Sequence, residues 1–125
     1  MLIIPRSSPA QASPGTVVRM MTTQSVDETI STVICPSGGC SNHKFTIETS
    51  AAVTGAVQLE TAPHPDYAGV WSPLGTATDV ATIAGGSAAG ILEIRHSQIV
   101  INAVRARIST VIGGGTVTVD YAGER

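Results

Sequence analysis

Large side chains and positive charges are scarce in this sequence. Its 125 residues include one Trp, two Tyr, one Phe, four Leu and a single Lys, and only 13% of the chain is charged. With a formal net charge of −2, there is no basic field to neutralise phosphates, which argues against a nucleic-acid partner. Long apolar runs are also missing. Met1 to Ile4 is the one apolar stretch near the start, and Pro5 ends it. That is shorter than the roughly 7 to 15 residues of a signal-peptide core. Nothing approaches the roughly 20 apolar residues of a membrane-spanning helix. Disorder is excluded by a 42% hydrophobic content combined with low net charge. The expectation is a soluble chain made in the cytoplasm, with no membrane partner and no cofactor.

What the chain does have is β-branching. Val, Ile and Thr number 13, 12 and 15. Such residues lose rotamer freedom in a helix and pack well on a pleated surface. An all-β domain follows, and 13 Gly and 7 Pro supply its turns. The length suits one domain.

Residues Met1 to Gly15 carry Pro5, Pro9 and Pro14. Proline fixes φ and removes donors, so residues 1–15 are expected to form an extended arm without ladder hydrogen bonds. Leu2, Ile3, Ile4 and Pro5 at its tip are candidate subunit-interface residues, because an exposed apolar tip invites docking. Residues 16–125 form the predicted domain, a single antiparallel β-sandwich of about eight strands. Short apolar runs alternate with turn clusters, as in sandwiches and barrels. Nine candidates mark the upper count: Val17 to Met21, Thr29 to Ile34, Lys44 to Thr49, Ala56 to Glu60, Val70 to Leu74, Thr78 to Ile83, Ile91 to Arg95, Ile99 to Ile108 and Thr116 to Tyr121. Alternation sets Phe45 and Ile47 against Lys44, Thr46 and Glu48, and Val57 and Leu59 against Gln58 and Glu60, so each strand has one buried and one wet face. A two-residue turn at Gly113 and Gly114 would join the last two strands as a hairpin. That register sets Ile108 opposite Val119, Ala106 opposite Tyr121 and Arg107 opposite Asp120.

Three segments could carry chemistry. Cys35 and Cys40, with His43 three residues on, offer three zinc ligands, although a structural zinc takes four. The same spacing fits two reduced thiols or a loop disulfide flanking a hairpin tip. A redox pair fits less well, since the two-residue separation at a helix start is missing. Residues Thr61 to Gly75 gather His64, Asp66, Tyr67 and Trp71. Tyr67 and Trp71 could bind a sugar by stacking, or could simply pack the core. Gly85 to Gly90 lacks the following Lys-Ser/Thr of a phosphate cradle. No G-x-S-x-G elbow occurs. Asp27 and Glu28 point apart, and Glu48, Glu60 and Glu93 sit at outward positions of separate strands, so no carboxylate pair converges. The expectation is a protein that is not an enzyme.

Four strings in order carry a family resemblance: Val57-Gln58-Leu59-Glu60, then Val70-Trp71-Ser72-Pro73-Leu74-Gly75, then Val104-Arg105-Ala106-Arg107-Ile108, and a glycine turn leading into Thr116-Val117-Thr118-Val119. Over about residues 56 to 121 the chain resembles small β-sandwich virion structural proteins of tailed bacteriophages. The resemblance implies a jelly-roll-like capsid decoration or cement subunit in the virion, without catalytic residues. It also implies a homo-oligomer, as a homotrimer, on the major capsid protein. Similar strings occur in tail and baseplate components and in carbohydrate-binding modules, which makes a tail or baseplate glycan-binding module the alternative.

Overall fold

A computed structural model describes residues 10–36, 40–83 and 89–125. The strands are β1 (Ala10–Ala12), β2 (Val17–Gln24), β3 (Ile34–Pro36), β4 (Asn42–Thr49), β5 (Thr54–Ala62), β6 (Ser72–Pro73), β7 (Thr78–Asp79), β8 (Gly90–His96), β9 (Ala103–Gly113) and β10 (Val117–Glu124). They form two sheets packed face to face, a β-sandwich. One sheet runs β1-β3-β9-β5-β6, with β7 also pairing β5, and the other runs β2-β10-β4-β8. Among the described residues no helix is long and apolar enough to cross a membrane.

Period-two burial builds the core. β4 alternates without a break, burying His43, Phe45, Ile47 and Thr49, and β10 buries Val117, Val119 and Tyr121. Facing them from the other sheet are Ile34, Val57, Leu59, Val104, Ala106 and Ile108, each at most 3% exposed. All join one apolar cluster.

The expected hairpin between the last two strands does not form. β9 pairs β5 and β3 in one sheet, whereas β10 pairs β2 and β4 in the other. Gly113 to Gly115 therefore form an arch between sheets, and Ile108 and Val119 meet the core from opposite sides. Asp120 takes Arg19 as its cross-strand partner, Nε to Oδ1 at 2.9 Å, in place of Arg107. Either geometry buries the same residues, so burial did not discriminate between them.

Other expectations also change. The β1–β3 pair is parallel, so the sandwich is not wholly antiparallel. Ala10–Ala12 is not free arm: between Pro9 and Pro14 the backbone keeps its donors, Ala10 N donates to Val33 O at 3.0 Å, and Ala12 is buried. Leu2, Ile3, Ile4 and Pro5 lie outside the described residues, as do Ser37 to Gly39 and most of the Gly85 to Gly90 loop. Thr29 to Ile34 contributes only an isolated bridge, Ile30 to Arg107, before β3. Val70 to Leu74 shrinks to β6. Thr78 to Ile83 becomes β7 followed by a 3₁₀ turn, Val80–Thr82, because the Asp79 carboxylate accepts from Ala81 N and caps it.

Gly55 marks the bulge where the β5–β9 register shifts. Its φ is +118°, and a Cβ there would lie 2.5 Å from the Val111 carbonyl oxygen. Gly15 also has positive φ, +79°, but faces open space. Gly55→Ala is therefore expected to lower the denaturant midpoint much more than Gly15→Ala, which meets backbone strain alone. Equal losses in chemical denaturation would contradict the clash.

Candidate functional site

Two clusters hold most of the chemistry-bearing side chains. The first lies at one end of the β4-β10-β8 sheet. His43 is 2% exposed, inward on β4 in phase with Phe45 and Ile47. Its Nε2 lies 2.9 Å from the Ile99 carbonyl oxygen, and its Nδ1 lies 2.6 Å from the Tyr121 hydroxyl. A carbonyl can only accept, so Nε2 carries the proton, and Nδ1 accepts from the Tyr121 O–H. Burial lowers the His43 pKa; the Ile99 bond opposes this and the neighbouring His96 reinforces it. Burial also pushes the Tyr121 hydroxyl up, with Cys40 adding to the shift. Both effects hold the pair neutral. His96, opposite His43 on β8, packs edge-on against Phe45 with ring centroids 6.1 Å apart.

This arrangement weighs against the zinc reading. Both ring nitrogens of His43 are engaged within the protein, leaving no lone pair for a metal. Cys40 borders Tyr121, since a Cβ on Gly123 would lie 2.6 Å from the Tyr121 hydroxyl and 3.2 Å from the Cys40 sulfur. Cys35 sits on β3, where burial first and the Asp66 charge second push its thiol up, toward the unreactive protonated form. No disulfide links Cys35 to Cys40. Among the described residues no group of three His, Cys, Asp or Glu side chains could hold a metal ion.

The second cluster covers the outer face of the β9-β5 sheet. Glu60 lies opposite Arg105 and bridges two arginines, Oε1 to Arg105 Nε at 2.9 Å and Oε2 to Arg107 Nε at 3.3 Å. Arg107 reaches on to Glu28 at 3.0 Å. The Arg105 guanidinium lies 4.4 Å from the centroid of the Trp71 ring, within cation–π range. Glu60 does point outward, yet it is only 6% exposed. The loop between β5 and β6 folds over this face, and Trp71 settles on Ala62 and Ala103 with Val33 and Tyr67 around it.

Trp71 is accordingly a packing residue. It is 4% exposed, its Nε1 donates to the Tyr67 carbonyl at 3.2 Å, and Arg105 covers the ring. No open face remains for a sugar. Tyr67 is half-buried and meets His64 edge-on at 5.6 Å. Tyr67 and Trp71 are brought together, but as a lid over the outer face of the sheet. The Glu60 bridge was missed in the sequence because outward polarity on a strand reads as solvation until something is known to cover it.

Two predictions follow from these clusters. Since the folded pKa of His43 lies below its ordinary 6.5, the unfolded chain binds the proton more readily. His43's contribution to stability is therefore complete above that pH and declines as pH falls below it. His43→Gln should give a shallower loss of unfolding free energy between pH 7.5 and 5.5 than the parent protein; identical slopes would count against a neutral buried ring. Glu60→Gln leaves two arginines without their shared partner and is expected to cost about 1–3 kcal/mol in chemical denaturation, whereas Glu93→Gln, in an exposed pair, should stay within about 0.5 kcal/mol. Comparison with protein-family models, curated proteins and solved structures returns no match.

Proposed function

We propose that this chain is a non-enzymatic virion structural subunit, a capsid decoration or cement protein that reinforces the shell of a tailed bacteriophage by packing as a homo-oligomer on the major capsid protein. One contrast carries the reading. Side chains with chemical potential are turned inward or bound to one another, while branched aliphatics stand out: Val70 is 90% exposed, Val100 80% and Ile91 63%. A surface with little charge and protruding aliphatics favours close contact with a neighbouring protein.

The strand order supports the jelly-roll form of this reading. β2-β10-β4-β8 faces β3-β9-β5 with β6 and β7, and from β2 onward the chain changes sheet at every connection except those from β5 through β7. Two interlocked Greek keys have this pattern, and jelly rolls recur in viral capsid and lectin domains. Fold alone does not assign function, so the resemblance over residues 56 to 121 supplies the choice of capsid. In this proposal the load is mechanical: the sandwich sits over a junction between capsid proteins and opposes outward pressure from packaged DNA. Leu2, Ile3, Ile4 and Pro5 reach a neighbouring subunit of the homo-oligomer.

An antibody against the chain should label assembled particles, and deleting residues 1–9 should move the protein to the soluble fraction on a density gradient without lowering its melting temperature. Finding the intact chain only in the soluble fraction would overturn the capsid assignment.

A further inference from the structure

We infer that the outer edge of β8 is a docking strand for a second copy of this chain, joined antiparallel about a two-fold axis centred on Ile94. The inference rests on the self-association reading above and specifies its contact. An edge strand presents unpaired N–H and C=O groups, and natural sheets usually blunt such edges by shortness, proline, bulges or covering segments. Three edges of this sandwich are blunted. β1 has three residues; β6 and β7 have two each, and β6 contains Pro73. β2 is bulged, has Thr23 at φ 42°, and is crossed by Thr32, whose N–H donates to the Met20 carbonyl at 3.1 Å. β8 differs. It runs seven residues in unbroken register with β4, contains no proline, and has no strand on its other side among the described residues.

The free hydrogen-bonding groups can be assigned. Ser50 N donates to Thr116 O, continuing the β4–β10 register, so even-numbered residues of β4 bond to β10 and odd-numbered ones to β8. The β4–β8 register then turns the backbone of Gly90, Leu92, Ile94 and His96 toward β4. Ile91, Glu93 and Arg95 therefore direct their N–H and C=O groups to the open edge.

Side-chain charge selects the register. A two-fold axis perpendicular to the sheet keeps inward residues opposite inward residues, so the axis must pass at a single residue. Centred on Glu93 it sets that carboxylate against itself; centred on Arg95 it opposes two guanidiniums. Centred on Leu92 it leaves Arg95 without an acidic partner. Centred on Ile94, Glu93 of each copy faces Arg95 of the other, twice, and the two Ile94 side chains meet on the core side. Within one chain Glu93 already holds Arg95 at 3.1 Å and Lys44 at 3.8 Å, so these side chains lie extended along the face where the partner's charges would arrive. A hollow of about 470 Å³ bordered by Glu48, Ala89, Gly90 and Ile91 lies at the start of the same strand, open to the chain end of an incoming β8.

The test is charge reversal on the full chain, read by sedimentation velocity over a concentration series, with circular dichroism confirming that each variant folds. The parent protein should dimerise. Glu93→Arg and Arg95→Glu should each weaken dimerisation by about tenfold or more, since each opposes like charges at both contacts. Mixing the two variants should restore association, and so should combining both substitutions in one chain. A parent that self-associates, as a trimer or otherwise, with no response to either reversal would overturn the β8 contact and leave self-association standing. A parent that stays monomeric at all concentrations overturns both. Loss of dimer in the single variants without recovery in the mixture would show that the edge receives a strand in another register and would overturn the Ile94-centred pairing.

Discussion

The structure depends on closing the gap between two sheets, about 10 Å in sandwiches of this kind, with a sequence that has few large side chains. Valine, isoleucine and alanine fill most of it, and only Phe45 and Tyr121 supply bulk near its centre. Their rings lie 5.2 Å apart. Using a tyrosine for volume brings a hydroxyl into an apolar interior, where a polar group without a hydrogen bond is strongly unfavourable. His43 answers that need, and its second nitrogen in turn takes the Ile99 carbonyl. The polar chain in the core is thus a consequence of packing, and it ties the β8–β9 loop to the two central strands, β4 and β10, of the sheet that contains β8.

The same economy governs charge. Ion pairs staple neighbouring strands: Arg19 to Asp120 links β2 with β10, Lys44 to Glu93 links β4 with β8, and Glu60 with Arg105 and Arg107 links β5 with β9. The exposed pairs contribute little each. Glu60 is different because the Trp71 loop shields it, raising the strength of its bonds and the penalty for leaving either arginine alone. Two outer faces of similar sequence character therefore behave differently, one as a wet surface and one as a covered polar layer.

The faces of the strands were legible in the sequence, and their partners were not. Alternation around Phe45, Val57, Ile108 and Val119 assigned each to the interior, as found. It could not tell a hairpin from an arch, since a glycine run serves both and either one buries Ile108 and Val119. Glu60 pointed the expected way, but its cover comes from residues a loop away. The 3₁₀ turn at Val80–Thr82 was within reach of the sequence, because an Asp before three residues without charge is a capping signal. His43 too could have been read as interior, being in phase with Phe45 and Ile47; the thiols beside it drew attention to metal chemistry. The strand β1 had no such signal, since Ala10, Gln11 and Ala12 are too few residues to establish a period.

The position of β10 bears on how the chain can reach this state. It is the last strand in sequence, yet it lies inside its sheet, between β2 and β4. Until residues 117–124 have left the ribosome, β2 and β4 have no shared neighbour, and the sheet that must close over β3, β9 and β5 lacks its central strand. Sequence-adjacent strands mostly lie in different sheets, so little can form locally, and topologies dominated by distant pairings fold slowly, on the order of milliseconds to seconds. Folding during synthesis is therefore withheld until residues 117–124 have been made, and a chain cut before residue 117 would keep two open seams where its central strand belongs.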